Sequence, residues 1–171
     1  RLPAANFDGE QLRGKLNASL AARLAAGRRA EYIRMTDWPI LFLSEEAFAG
    51  AKMQEEEAER AVGEALKEFG VTTFYTRAQL ARGDVPNDDL GRKYRRSYSP
   101  YGGWYVVAVP APFSVAWPTG TDHATPYSYD THVPLAFYGL PFQPGVYRRA
   151  SEPVDMAATL AADRQCFAPG D

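Results

Sequence analysis

Apolar residues recur at helical spacing near the start of the chain. Four leucines follow one another every four residues, at Leu12, Leu16, Leu20 and Leu24. Asp8 precedes them as a typical N-cap, and Gln11 occupies the capping-box position. The pattern therefore predicts an amphipathic helix that begins after Asp8 and stops at Gly27, because glycine commonly terminates helices.

A second helical pattern covers residues 53–69. It is acidic at its start, as the helix dipole favours, and Gly70 follows as a terminator. Its apolar positions share one face, at Ala58, Val62, Ala65 and Phe69. Two further helices are predicted, a short one at 77–82 and a last one at 153–162.

Runs of β-branched, aromatic and aliphatic residues predict strands at 38–44, 71–76, 104–110 and 133–138. Glycine- and proline-containing stretches at 83–87 and 100–103 predict loops. Helix, strand, helix, strand and strand in this order indicate a compact α+β unit, with its helices packed on one face of a small sheet.

At 171 residues the chain is long enough for one domain, or for a main body with a small subdomain. Its net charge of −2 gives no general basic excess of the kind that nucleic-acid binding requires. The basic run R-K-Y-R-R at 92–96 is interpreted as a solvated surface loop; a site for phosphate or an acidic partner is the alternative.

The single cysteine, Cys166, excludes an internal disulfide framework and a cysteine-based zinc cluster. No apolar run approaches the roughly 20 residues that a membrane-spanning helix needs, so no membrane span is expected. The chain begins at Arg1 without a signal-peptide pattern, which suggests a cut within a longer protein.

Both histidines lie in one polar loop, residues 120–139, with the sequence G-T-D-H-A-T-P-Y-S-Y-D-T-H-V-P-L-A-F-Y-G. Imidazole is the commonest zinc ligand, and it titrates near neutrality when unperturbed. His123 and His132, with Asp122 and Asp130, could supply metal ligands or a general acid. Hydrogen-bonded structural histidines are the alternative, since no H-x-H or H-E-x-x-H motif occurs.

The loop, the following P-G-V-Y and the helix V-D-M-A-A-T-L-A-A resemble the C-terminal signature of the alkaline phosphatase superfamily. The similarity is greatest to bacterial alkaline phosphatases of the type I phosphodiesterase/nucleotide pyrophosphatase-like branch. Residues 1–17 also resemble the region that follows an Asp-His ligand pair in those enzymes. The resemblance spans most of the chain, although residues 30–95 match only loosely.

The resemblance implies hydrolysis of phosphate monoesters, and sometimes diesters, by two zinc ions and a threonine or serine nucleophile. One ion stabilises the leaving oxygen and the other activates the nucleophile. His123 matches the late histidine of one zinc site, and His132 falls at a variable position beside it. Neighbouring positions match residues that shape the loop or seat it on the next strand: Gly120, Thr121, Tyr129, Asp130, Val133 and Pro134.

The sequence departs from the family pattern in two places. Ala124 stands where the family usually has glycine, which narrows the backbone conformations available after His123. Asp163, Arg164 and Gln165 replace an apolar helix end. The nucleophile and the remaining metal ligands belong upstream of Arg1 in the family pattern, so the chain alone is expected to be inactive.

The resulting fold class is α/β, the C-terminal part of an alkaline phosphatase-like core, with an inserted small α+β subdomain. Residues 1–118 are assigned to the subdomain, and 119–171 to the core strand, core helix and metal-ligand loop. The implied partners are a small-molecule phosphate ester and the missing N-terminal part of the same protein, with no nucleic acid. By resemblance the protein is periplasmic or secreted.

Two other functional hypotheses remain open. The first is a non-catalytic α+β binding or interaction module, whose partner surface would be an aromatic cluster of Tyr98, Tyr101, Trp104 and Tyr105. Packing of these aromatics in the core is the alternative to such a surface. The second is a mononuclear metal enzyme that uses both histidines together with Asp122 and Asp130.

Overall fold

A four-stranded antiparallel sheet organises the first part of the molecule. The computed structural model describes residues 8–24, 30–114, 123, 125–139 and 142–165. In chain order the strands are β1 Ile33–Asp37, β2 Ile40–Leu43, β3 Phe74–Thr76 and β4 Tyr105–Ala108. Their spatial order is β1-β2-β4-β3, with Leu41 opposite Val106 and Tyr75 opposite Val107.

Seven helices occur among the described residues. They are α1 Gly9–Arg23, α2 Glu45–Gly50, α3 Glu55–Lys67, α4 Arg77–Arg82, α5 Asp89–Arg96, α6 Ser128–Thr131 and α7 Pro153–Gln165. The predicted helices at 8–27, 53–69, 77–82 and 153–162 are therefore confirmed as elements, with shifted ends in three of them.

Local chemistry explains where α1 begins. The Asp8 carboxylate accepts hydrogen bonds from the backbone N–H groups of Glu10 and Gln11, at 3.0 and 3.2 Å. The leucine stripe then buries Leu12, Leu16 and Leu20, as its spacing predicts. The helix ends at Arg23, and the predicted stop, Gly27, lies outside the described residues.

Helices cover both faces of the sheet, so the prediction of helices on one face was wrong. Helices α1 and α3 pack on the face that carries Leu41, Leu43 and Val106. Tyr75 and Val107 point to the opposite face, where Leu80 of α4 and Tyr94 of α5 cover them. The reason lies in β4, whose four residues are all buried, so that both faces of this central strand need a cover.

The structure also corrects one predicted loop and adds two elements that the sequence did not predict. The basic run at 92–96 is not a loop, because it forms the last part of α5. Strand β1 and helix α2 were not predicted at all. In β1 exposed and buried residues follow no strict alternation, and α2 has only six residues, which the Ser44 side chain caps.

The predicted strand at 133–138 is not a strand in the structure. These residues have no regular secondary structure, and Val133 and Tyr138 are 69% and 103% exposed. A strand needs a neighbouring strand to bond its backbone groups, and none of the described residues pairs with this run. The apolar residues of this run therefore indicate only a tendency to form a strand.

The chain divides into two compact units, Arg1–His132 and Val133–Asp171. The first contains the sheet, α1 to α6 and both hydrophobic cores. The second contains α7, and none of its described side chains is buried. The family resemblance predicts a different domain boundary, at 118/119. That boundary separates the part of the chain assigned to the phosphatase core from the inserted subdomain, and it stays a prediction.

Candidate functional site

The segment after His123 lies against the end of β4 and against α5. Lys93 Nζ on α5 donates a hydrogen bond to the Pro126 carbonyl oxygen at 2.8 Å. The Tyr127 hydroxyl donates to the Pro110 carbonyl oxygen at 2.7 Å. Burial raises the pKa of Tyr127, with a smaller contribution from Tyr129, so this hydroxyl stays protonated and remains a donor. Both bonds join residues 126 and 127 to the α+β body.

Asp130 closes the segment on itself. Its Oδ2 accepts a hydrogen bond from the Thr125 backbone N–H at 2.7 Å, across five residues. Asp130 belongs to α6, the single helical turn Ser128–Thr131. A carboxylate that accepts a backbone N–H forms one of the stronger hydrogen bonds available in proteins. Asp130 thereby fixes the backbone two residues after His123.

Aromatic rings reinforce the same segment. The rings of Phe113 and Tyr129 stack with centroids 4.6 Å apart, and those of Tyr127 and Tyr129 with centroids 5.7 Å apart. The Phe113 N–H also donates to the Tyr129 hydroxyl oxygen at 2.8 Å. Phe113 has a φ of 61°, a conformation that costs free energy for a residue other than glycine. The stack and the hydrogen bond offset that cost.

The two histidines differ in their surroundings. Both side chains are exposed. His132 caps the end of α6, where its backbone N–H donates to the Ser128 carbonyl oxygen at 3.1 Å. His123 precedes the anchored segment, two residues before Thr125. Four other predicted loop residues lie outside the described residues: Gly120, Thr121, Asp122 and Ala124.

The donor set available to a zinc ion is small. Among the described residues no three histidine, cysteine, aspartate or glutamate side chains come together as a metal site. Asp130 already accepts the Thr125 N–H. A tetrahedral catalytic zinc takes three protein ligands, so the described residues do not hold one by themselves. An exposed imidazole at His123 fits as one ligand of a site completed by other residues.

The basic run at 92–96 is partly neutralised. Lys93 and Arg92 contact the Asp89 carboxylate at 2.9 and 3.9 Å. The hydrogen bond from Lys93 holds the pKa of Asp89 below its usual range, with smaller contributions from the arginines. Lys93 is therefore engaged by a carboxylate and a carbonyl, an arrangement that suits an anchor better than a phosphate site.

A buried carboxyl group, absent from the sequence-based candidates, lies at the junction of α3, α4 and β4. Glu59 is fully buried, and it accepts backbone N–H groups from Ala78 and Tyr105 at 3.0 and 3.3 Å. Its pKa is raised to about 7, chiefly by burial and to a smaller extent by Glu55, while the two N–H bonds and Arg77 oppose the rise. Its position three residues before the buried Val62 was the available signal.

The four aromatics of the binding-module hypothesis do not form one surface. Tyr105 is buried, whereas Tyr98 packs at the edge of the second core and Trp104 at the edge of the first. Only Tyr101 among them is strongly exposed, at 85%. Trp104 also lines a groove of about 430 Å³ beside α2, with Glu45, Lys52 and Met53 in its walls. Neither histidine contributes to that groove.

No protein-family model, curated protein or solved structure matches the chain. Among the helices in the described ranges, none combines the length and apolar character needed to cross a membrane.

Proposed function

We propose that the chain is the C-terminal part of a zinc-dependent hydrolase of phosphate monoesters, with diesters as further substrates, and that His123 supplies one zinc ligand. The observation that carries the proposal is the anchored loop. Asp130 holds the Thr125 backbone N–H two residues after His123, and the Tyr127 hydroxyl binds the Pro110 carbonyl oxygen, through bonds of 2.7 Å each; His123 itself is an exposed residue. A metal ligand needs a backbone that holds its side chain in position.

Within such a site, zinc ions act as Lewis acids toward the ester oxygens and the nucleophile. The contribution of this chain is one neutral imidazole and the backbone that orients it. The nucleophile and the other metal ligands would come from the N-terminal part of the same protein. The chain alone would then bind zinc weakly and would not turn over substrate.

The second compact unit supports the same proposal. Its described residues include large apolar side chains that remain exposed, at Val133, Leu135, Tyr138, Val146, Tyr147, Val154, Met156 and Leu160. Apolar surface of this extent is typical of regions that pack against further polypeptide. Helix α7 and the apolar segment before it, seated on the N-terminal part of a phosphatase core, would use these side chains. An exported location, periplasmic or secreted, completes the proposal.

The two histidines provide a matched pair for the test. In the complete protein, His123→Ala should lower the zinc content, and it should lower the turnover of an aryl phosphate monoester by at least about 100-fold, because catalysis loses a metal ligand. His132→Ala removes a histidine that is also exposed, nine residues further along, and should change either quantity by less than about threefold. Zinc content is measured by elemental analysis, and turnover by release of phosphate.

Equal losses in the two variants would overturn the assignment of His123. A complete protein that contains no zinc and hydrolyses no phosphate ester would reject the proposal and favour the non-catalytic binding module. Tight stoichiometric zinc in the 171-residue chain alone would instead favour the mononuclear enzyme.

A further inference from the structure

We propose that Lys93 is a positioning residue for the loop that carries His123. Its ammonium group connects α5 to the backbone of that loop, through the Pro126 carbonyl oxygen at 2.8 Å. The part of this inference that concerns zinc rests on the proposed function. The part that concerns the order of the loop does not.

The position of Lys93 is itself fixed from two sides. Its Nζ lies 2.9 Å from Asp89 Oδ2, one helical turn earlier on α5. The helix is held in place by Tyr94, which is buried in the second core and donates to the Ala108 carbonyl oxygen at 3.4 Å. A lysine ammonium has three donors, so it can bind the carboxylate and the carbonyl together. The sheet thus holds α5 through Tyr94, and α5 holds the loop through Lys93.

Lys93 acts on a different point of the loop from the aromatic anchors. Tyr127 and Tyr129 bind residues 110 and 113, which follow β4. Lys93 binds Pro126, three residues after His123 and next to Thr125, whose N–H is held by Asp130. Pro126 has no backbone N–H of its own, so its carbonyl is the backbone group through which this residue can be held.

The family resemblance does not supply this role, because Lys93 lies in the part of the chain, 30–95, that matches the family only loosely. The sequence separation between Lys93 and Pro126 is 33 residues. The contact follows from the fold of the α+β unit. In the proposed enzyme, the α+β unit would thereby orient one side of the metal site.

The first measurement uses the metal-free 171-residue chain. Lys93→Met keeps the aliphatic stem and removes the charged donor. Amide hydrogen exchange of Thr125 should become about tenfold faster, since a hydrogen bond from a charged group typically contributes this much local protection. Lys93→Arg retains a charged donor. The logarithm of its Thr125 exchange rate should therefore lie at least halfway from the value of Lys93→Met back to that of the unmodified chain.

Lys67→Met is the matched control. Lys67 also pairs with a carboxylate on its own helix, Glu64 at 2.8 Å, but its helix, α3, lies on the other face of the sheet. It should leave Thr125 exchange unchanged. Exchange of the Val106 amide in the core reports whether each variant is folded. If Lys93→Met fails to fold, Asp89→Asn, which releases Lys93 from its carboxylate, should still accelerate Thr125 exchange severalfold.

The second measurement is the zinc dissociation constant of the complete protein. Lys93→Met should raise it about 10- to 100-fold, the usual effect of removing a group that orients a metal ligand. Excess zinc should recover turnover, and Lys67→Met should match the unmodified protein. Unchanged Thr125 exchange in a folded Lys93→Met chain overturns the positioning role. Retention of zinc by His123→Ala rejects the proposed function, whatever the exchange result.

Discussion

The unit Arg1–His132 buries the leucines of helix α1, whereas the unit Val133–Asp171 exposes the leucine of helix α7. Leu16 on α1 is 0% exposed and Leu160 on α7 is 45% exposed. Both lie on helices that the sequence predicts correctly. The difference teaches that an apolar pattern specifies an element, while burial requires a complementary surface. The first unit contains that surface in its sheet; the described residues of the second do not.

The largest effect should come from truncating the two leucines. Leu16→Ala should lower the free energy of unfolding of the first unit by about 2–5 kcal/mol, because it removes buried apolar surface and leaves a cavity. Leu160→Ala should change the stability of the 171-residue chain by less than about 0.5 kcal/mol. Urea unfolding followed by tyrosine and tryptophan fluorescence measures both. A comparable loss of unfolding free energy in Leu160→Ala would contradict the difference in burial between the two units.

Substitutions at two helical glycines test how closely the helices of the first unit pack. A Cβ at Gly63 on α3 would lie 2.0 Å from Phe74 Cε2, so Gly63→Ala should cost roughly 1–3 kcal/mol through overpacking. At Gly14 on α1 a Cβ meets no atom within 4 Å, and Gly14→Ala should stabilise by about 0.5–1 kcal/mol. Thermal unfolding should shift in opposite directions. Equal shifts would contradict the close packing of α3 on β3.

The buried carboxyl group of Glu59 predicts a pH dependence of the first unit. Folding raises its pKa from 4.5 to about 7, so the folded state favours the protonated form. The contribution to stability is complete below pH 4.5 and is lost as pH rises toward 7. Over that range this group should lower the free energy of unfolding by roughly 3 kcal/mol, given about 1.4 kcal/mol for each pKa unit between 4.5 and about 7.

Glu59→Gln should remove most of that pH dependence, because the amide does not titrate. Glu57→Gln is the control, since Glu57 is an exposed carboxylate two residues away on the same helix. Urea titrations at about pH 5 and pH 7.5 give the four free energies. If both variants show the same slope as the unmodified chain, Glu59 does not titrate in this range.

Much of the first unit was predictable because its signals are local. Asp8 caps α1 through groups two and three residues away, and Thr76 caps α4 through Gln79. The run W-Y-V-V-A-V-P was predicted as a strand and contains β4, because aliphatic and aromatic residues favour extended backbone. By contrast, α5 was missed since five of its eight residues are basic or acidic, a composition that also suits a loop.

The candidate site was predictable only in part. The resemblance singled out His123, and that assignment stays a prediction. The contacts that surround it join residues distant in sequence, such as Lys93 with Pro126 and Tyr127 with Pro110. No periodicity or motif encodes such pairs. They arise when the sheet brings the end of β4 beside α5.

The sequence by itself determined the helices whose caps and apolar stripes lie within one element, and it located both histidines in one loop. Tertiary structure decided the burial of Glu59, the two-sided cover of the sheet and the anchoring of the loop by Lys93. It also decided that residues 133–138 form no strand among the described residues, despite their apolar composition. The physical reason is that caps and propensities act over a few residues, whereas burial, strand pairing and ion pairs depend on groups that only the folded chain brings together.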